Sequence, residues 1–299
     1  MKTKICIIIV LLIALTCVIS SCGTVSVLAQ VAGATGLIDQ NIANAISNSA
    51  DAIGTAAEDI TPEQEYFIGR SVAATILTSY KIYNGNQALT SYLNLICAAI
   101  VVHSPRPDVF NGYHVAILDT DEINAFAPPG GHIFVTRGLI RAAQNEDALA
   151  AVIAHEIAHI QLQHSLKAIK SSRVTQAILV TGTSAVGAAA GMDVNELTSA
   201  FDETIGSIIQ TMVTSGYSQS QEFEADNTAM ELLAGAGYRP SGLLEMLNVL
   251  STIQVANSGF GKTHPSPAQR ITNAQKSVGK YNVPDTSSSR QTRFNTATR

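Results

Sequence analysis

The spacing of apolar residues changes several times along the chain, and each change predicts an element. In "TPEQEYFIGRSVAATILTSY", residues 61 to 80, the start of a helix is signalled: Thr61 can cap, Pro62 suits the first helical position and Gln64 completes a capping box. A second helix is expected over 87 to 103. The pattern then turns to alternation in "YHVAILD", 113 to 119. In "INAFAPPGGHIFVT", 123 to 136, two apolar runs flank Pro-Pro-Gly-Gly, which predicts two strands and a tight turn. From Arg137 onward the pattern is helical. Its strongest segment starts at Glu146 and Asp147 and is buried by Ala148, Leu149, Ala151, Val152, Ala154, Ile157 and Ala158. These elements make a mainly helical α+β domain over 61 to 280 with a small sheet.

The flanks differ. Residues 23 to 60 are rich in Ala, Gly, Ser and Asn and predict a tether with one docking helix, whereas 281 to 299 are polar enough to predict a disordered tail. The uncharged stretch "VTQAILVTGTSAVGAAAGM", 174 to 192, is too rich in Gly, Thr, Ala and Ser for a membrane span, so a helical hairpin or membrane-facing loop is expected. Residues 1 to 21 read as an export signal, with Lys2 and Lys4 ahead of an apolar run from Ile5 to Ile19. The run ends in Ile19-Ser20-Ser21-Cys22, which resembles a bacterial lipobox and makes Cys22 the expected lipidation site. Cleavage after Val27-Leu28-Ala29, giving a soluble periplasmic protein, and an uncleaved anchor are the alternatives. Gly23 after the cysteine is similar to what lipoproteins of the outer membrane carry, which points to its periplasmic side.

Composition narrows the function classes. The chain is 46% hydrophobic and 14% charged, so 299 residues can bury a sizeable core. Its formal net charge of −5, without a basic cluster, makes nucleic acid an unexpected partner. Once the signal and Cys22 are set aside, Cys97 is the one free thiol expected, so no disulfide framework is possible.

The buried helix then presents a chemical problem. "AAVIAHEIAHIQLQHS", 150 to 165, places imidazoles and a carboxylate in a core, where they are costly unless hydrogen bonds or a metal satisfy them. His155 and His159 are four residues apart, so they share a helix face and can reach one Zn²⁺, while Glu156 beside them suits a general base. On a continuing helix His164 would lie roughly 140° round from His159, facing elsewhere as a structural or rim histidine. A third ligand is expected from another helix. Glu196, Glu203, Glu222, Glu224 and Glu231 are the candidates. Glu222 and Asp226 share a face, which suits one carboxylate as ligand and the other as acceptor for a ligand histidine's second N–H; Glu224 reads as a solvated carboxylate.

Together "HEIAHIQLQH", "EFEAD" and "NAFAPPGGHIFVTRGLI" resemble the gluzincin zinc endopeptidases of the CAAX prenyl protease and HtpX type, most of all their periplasmic lipoprotein branch. The resemblance covers about 61 to 278. It implies a zincin-type fold whose edge strand flanks the active-site helix, one Zn²⁺ per chain on His155, His159 and Glu222, and Asp226 behind a ligand histidine. "KTHPSPAQRI" matches a later family segment at His264, implying either a stabiliser of the oxyanion or a fourth ligand that latches the site. Asn124, Ala125 and Phe126 would form the strand against which an extended substrate lies. Relatives carry Arg in "YSR" where this chain has Gln219; the brace is either absent or supplied by Arg137 or Arg270. The expected activity is hydrolysis of peptide bonds in exposed or misfolded envelope proteins. Its rival is a non-catalytic envelope lipoprotein that holds clients or assists assembly around a structural zinc. Any assembly partner is expected to be a separate chain.

Overall fold

A computed structural model describes residues 30–36, 39–41, 43–44, 60–167, 205–252, 259–264 and 267–298. The expected signal, Cys22 and the 174–192 stretch lie outside the described residues. Two compact units divide the chain, 1–59 with 168–202 and 60–167 with 203–299. Of the first, the described part is a helical turn at 30–34 and a few residues after it. Among the described residues no helix is long and apolar enough to cross a membrane.

The second unit is the mainly helical α+β body that the pattern implies. Helix α1 spans Pro62–Ser79 and α2 Gln87–Val101; then come β1, His114–Leu118, β2, Ala125–Phe126, and β3, His132–Thr136. After α3, Arg137–Ala142, the long α4 covers Glu146–Gln161. A widened helical turn at Gln210–Ser215 precedes α5, Gln219–Gly235, α6, Ser241–Thr252, α7, Phe260–Thr263, α8, Pro267–Ala274, and α9, Ser287–Ala297.

Helix starts follow side-chain chemistry. The capping box at Thr61 and Gln64 forms on α1, Asn145 caps α4 through the Ala148 N–H, and Ser218 with Gln221 makes a second box on α5. Sheet order is β1-β3-β2, with β1 parallel and β2 antiparallel to β3, so β2 is an edge strand that packs on α4, as expected. The turn joining β2 to β3 needs Gly130 at φ +75°. Gly69 of α1 lies so close to this turn that a Cβ there would meet the Pro129 carbonyl oxygen at 1.8 Å. Buried Glu65 locks the contact. It accepts from the Gly130 N–H at 3.1 Å and from Arg106 at 2.8 Å, and Arg106 also donates to the Ile160 carbonyl at the end of α4.

Helix α4 is the axis of the core, buried from Glu146 to Ile160 and packed by α2, α5, α6 and α9. Here the structure corrects the expected disordered tail. Residues 287–297 form α9, whose Arg290 and Phe294 are buried. Arg290 Nε reaches Asp147 at 3.0 Å, Arg239 reaches the same carboxylate, and Arg293 and the Tyr92 hydroxyl donate to Glu146. Two acids that read as helix-start residues are almost wholly buried, so they need these cations. Deleting 287–299 strips Asp147 of Arg290 and the core of Phe294. The expected loss is about 3–5 kcal/mol, a fall in thermal midpoint of about 10 °C for a body of this size, readable by circular dichroism.

Candidate metal centre and catalytic residues

Two helices meet at the site. The i, i+4 spacing on α4 sets His155 and His159 side by side, rings 4.6 Å apart, with their Nε2 atoms 3.0 Å from each other. The same spacing on α5 turns Glu222 and Asp226 inward, both fully buried. His264, at the C-terminal end of α7, closes the cluster with Nδ1 3.0 Å from Glu222 Oε1 and its ring stacked on Phe260. One ligand atom each from His155, His159, Glu222 and His264 lies within 4.8 Å of the others. Glu196 and Glu203 lie outside the described residues, and Glu231 is exposed.

This donor set fits a cation. Two nitrogens with lone pairs facing each other repel unless a proton or a metal lies between them, and Glu156 Oε1 is buried without a hydrogen-bond partner. Two imidazoles and a carboxylate are the usual donors for catalytic Zn²⁺. Glu156 sits at the rim of the cluster, 3.8 Å from His264 Nε2. Burial pushes its carboxyl above the ordinary value, partly offset by His264 and His155.

Each α4 histidine is held from behind. His155 Nδ1 lies 3.0 Å from Asp226 Oδ1. Asp226 is in turn gripped by Arg270, whose Nε and Nη2 reach its two oxygens at 2.8 and 2.6 Å, while Nη1 lies 2.9 Å from Glu222 Oε2 as an ion pair without hydrogen-bond alignment. Burial alone would raise the pKa values of both carboxylates. For Glu222 the proximity of His264 and Arg270 wins, and for Asp226 that of Arg270, so both are held down. Arg270 is therefore the brace that Gln219 leaves unfilled. Arg137 instead pairs with Asp119 at the surface, and Gln219 lines a shallow groove outside α5 and α8.

His159 has a different arrangement, and there the expectation for His164 was wrong in direction. α4 stops at Gln161, and Gln163 adopts φ +54°, which changes the direction of the chain before a new helical turn at 164–167. His164 therefore returns to face His159, with Nδ1 atoms 2.9 Å apart, rather than pointing away. It is fully buried, and its Nε2 lies 3.3 Å from Glu224 Oε2. Burial lowers the pKa of His164 in spite of Glu224, leaving a neutral ring with one N–H. Glu224 is half-exposed, as expected of a solvated carboxylate, but has this partner. Tyr217 stacks on His159 at 4.1 Å, a contact no sequence pattern signalled.

The segment expected to take substrate forms the edge of the sheet and is buried. Asn124, Ala125 and Phe126 are buried, at 2%, 0% and 1% exposure. Phe260 donates its N–H to the Ile123 carbonyl at 2.8 Å, and the Thr263 hydroxyl donates to Asn124 Oδ1 at 3.2 Å. The segment that carries His264 thus ties to Ile123 and Asn124, just ahead of β2, as well as lying at the donor cluster.

Comparison with known proteins agrees with the geometry. A family model described as Peptidase family M48 matches residues 88–278. The chain is 28% identical over 241 residues to the beta-barrel assembly-enhancing protease of Escherichia coli (strain K12), covering 78% of this chain and 48% of that protein. It is 31% identical over 185 residues to mitochondrial metalloendopeptidase OMA1 of Schizosaccharomyces pombe, covering 61% and 51%. With metalloprotease LoiP of Escherichia coli it shares 31% over 150 residues, 50% of this chain and 56% of that one. The chain spans about half the length of the curated relatives it matches.

Proposed function

This chain belongs to peptidase family M48, and on that premise we propose that it is a zinc endopeptidase of the bacterial cell envelope, held by a lipid on Cys22 and cleaving exposed segments of unfolded or misassembled envelope proteins. The observation that carries this reading is the convergence of His155, His159, Glu222 and His264 beside Glu156, whose Oε1 makes no hydrogen bond. His155, His159 and Glu222 would hold Zn²⁺, which when bound acidifies water and polarises a carbonyl. Glu156 takes the proton of the attacking water on its free oxygen and returns it to the leaving amine. Asp226 and Arg270 keep His155 oriented throughout. An extended peptide pairs with β2 through main-chain hydrogen bonds, which gives affinity with little demand on sequence. The envelope location draws on the export signal and on the relatives named for beta-barrel assembly.

His264 acts as a latch in this reading, since its ring occupies the donor cluster while its segment is tied to Ile123 and Asn124 at the entry to β2. The test is cleavage of casein by the whole chain, with zinc quantified, for wild type and His264→Ala. The latched enzyme is expected to be slow and His264→Ala several-fold faster at equal zinc content. A His264→Ala protein that keeps zinc but is slower would instead make His264 a stabiliser of the oxyanion. If both hold zinc and neither cleaves any unfolded protein offered, the holding role replaces the peptidase.

A further inference from the structure

The two α4 histidines are secured in unlike ways, and the difference carries a consequence. Behind His155 stands a buried carboxylate gripped by arginine. Behind His159 stands a second imidazole, and behind that a carboxylate at the surface. We infer that His164 and Glu224 form a relay that fixes the tautomer and orientation of His159 and so sets how tightly the site holds its metal.

Proton placement along the chain of contacts is forced. To present the Nε2 lone pair to a cation, His159 must carry its hydrogen on Nδ1. That N–H faces His164 Nδ1 at 2.9 Å, so His164 accepts there and carries its own hydrogen on Nε2. The Nε2–H in turn points at Glu224 Oε2, 3.3 Å away. Every donor meets an acceptor, and reversing either ring leaves two N–H groups or two lone pairs opposed. Tyr217 stacks flat on His159 and fixes the plane of the ring, leaving His164 to fix its rotation.

The backbone bears a cost to make this contact. Gln163 is the one non-glycine residue with positive φ among the described residues, a conformation worth about 1–2 kcal/mol of strain for an L residue. It is held by its N–H on the Ile160 carbonyl and by the Lys167 N–H on its own carbonyl. A histidine needed only for packing could continue along α4. The break matters because it aims His164 at His159.

His164 and Glu224 are positioning residues, and the inference rests on the reading that His155, His159 and Glu222 bind zinc. The experiment measures zinc dissociation constants of the whole chain by competition with a chromophoric chelator, with circular dichroism of the metal-free proteins alongside. His164→Ala is expected to weaken zinc about 10–100-fold. In His164→Asn the amide oxygen takes the place of Nδ1 as acceptor, so most of the affinity should return. Glu224→Ala changes a half-exposed side chain and will fold; it should weaken zinc several-fold. The double variant His164→Ala/Glu224→Ala should bind no more weakly than His164→Ala, because Glu224 acts only through His164. Wild-type affinity in Glu224→Ala, with His164→Ala and His164→Asn equally impaired, would make His164 a packing residue and overturn the relay. So would losses that add in the double variant. A wild-type chain that takes up no zinc would overturn the metal reading itself, whereas stoichiometric binding unchanged in all variants would overturn the relay alone.

Discussion

Glu156→Gln is expected to reduce peptide cleavage by about 10²–10⁴-fold while leaving zinc content unchanged. Gln has nearly the shape of Glu, so the packing of α4, buried on every side at this point, is preserved. What is lost is the proton-accepting oxygen. Glu156 Oε1 is buried and makes no hydrogen bond, and burial raises its carboxyl above the ordinary value. Both features suit a group that must take a proton and give it back, because a base tuned toward the working pH does both with little cost. The measurement is casein cleavage on the His264→Ala background, where the latch is open, with zinc quantified in each protein. A Glu156→Gln protein that holds zinc and cleaves at the parental rate would place the proton transfer elsewhere. One that holds zinc and is inactive separates the peptidase from a holding protein, since holding needs no base.

How much of this site was legible depended on distance along the chain. His155 with His159, and Glu222 with Asp226, were readable because a four-residue spacing on a helix fixes geometry whatever surrounds it. The direction of His164 departs from the helical expectation because α4 does not continue, and nothing in "HIQLQHS" marks the stop: there is no glycine at 163, where Gln163 turns the chain. Arg270 stayed one of two candidates since a long side chain from a distant helix leaves no local periodicity. The polar tail failed for a related reason. Arg290 and Phe294 share a helix face, but two buried side chains in a polar stretch give too weak a pattern without knowing that Glu146 and Asp147 need cations. The second strand at 125–126 is an edge, as its sequence pattern implied, whereas the tie of 259–264 to Ile123 and Asn124 is a tertiary contact that strand alternation cannot disclose.

Arg270→Leu should be the most damaging change to stability near the site, and the damage should depend on metal. Arg270 is 1% exposed and faces two carboxylates that are wholly buried, holding Asp226 with two hydrogen bonds and lying 2.9 Å from Glu222. Removing one member of a buried ion group costs about 3–5 kcal/mol, because the remaining charges are left in a medium that solvates them poorly. Arg270→Lys should fall between, as an ammonium cannot grip Asp226 with two parallel bonds. The sign with pH follows from the depressed carboxylates. Their contribution is present above about pH 4, where the unfolded chain ionises, and is lost as pH falls through the lower folded values, so the gap between wild type and Arg270→Leu should narrow in acid. Zinc should narrow it too. A cation on Glu222 replaces part of the positive charge that the substitution removed, so the variant is expected to gain more stability from binding than wild type does. Thermal midpoints with zinc and with chelator therefore form the test: a large deficit for Arg270→Leu in chelator that shrinks in zinc. An equal deficit in both would mean that Arg270 supports packing around Phe260 rather than the charge balance of the metal centre.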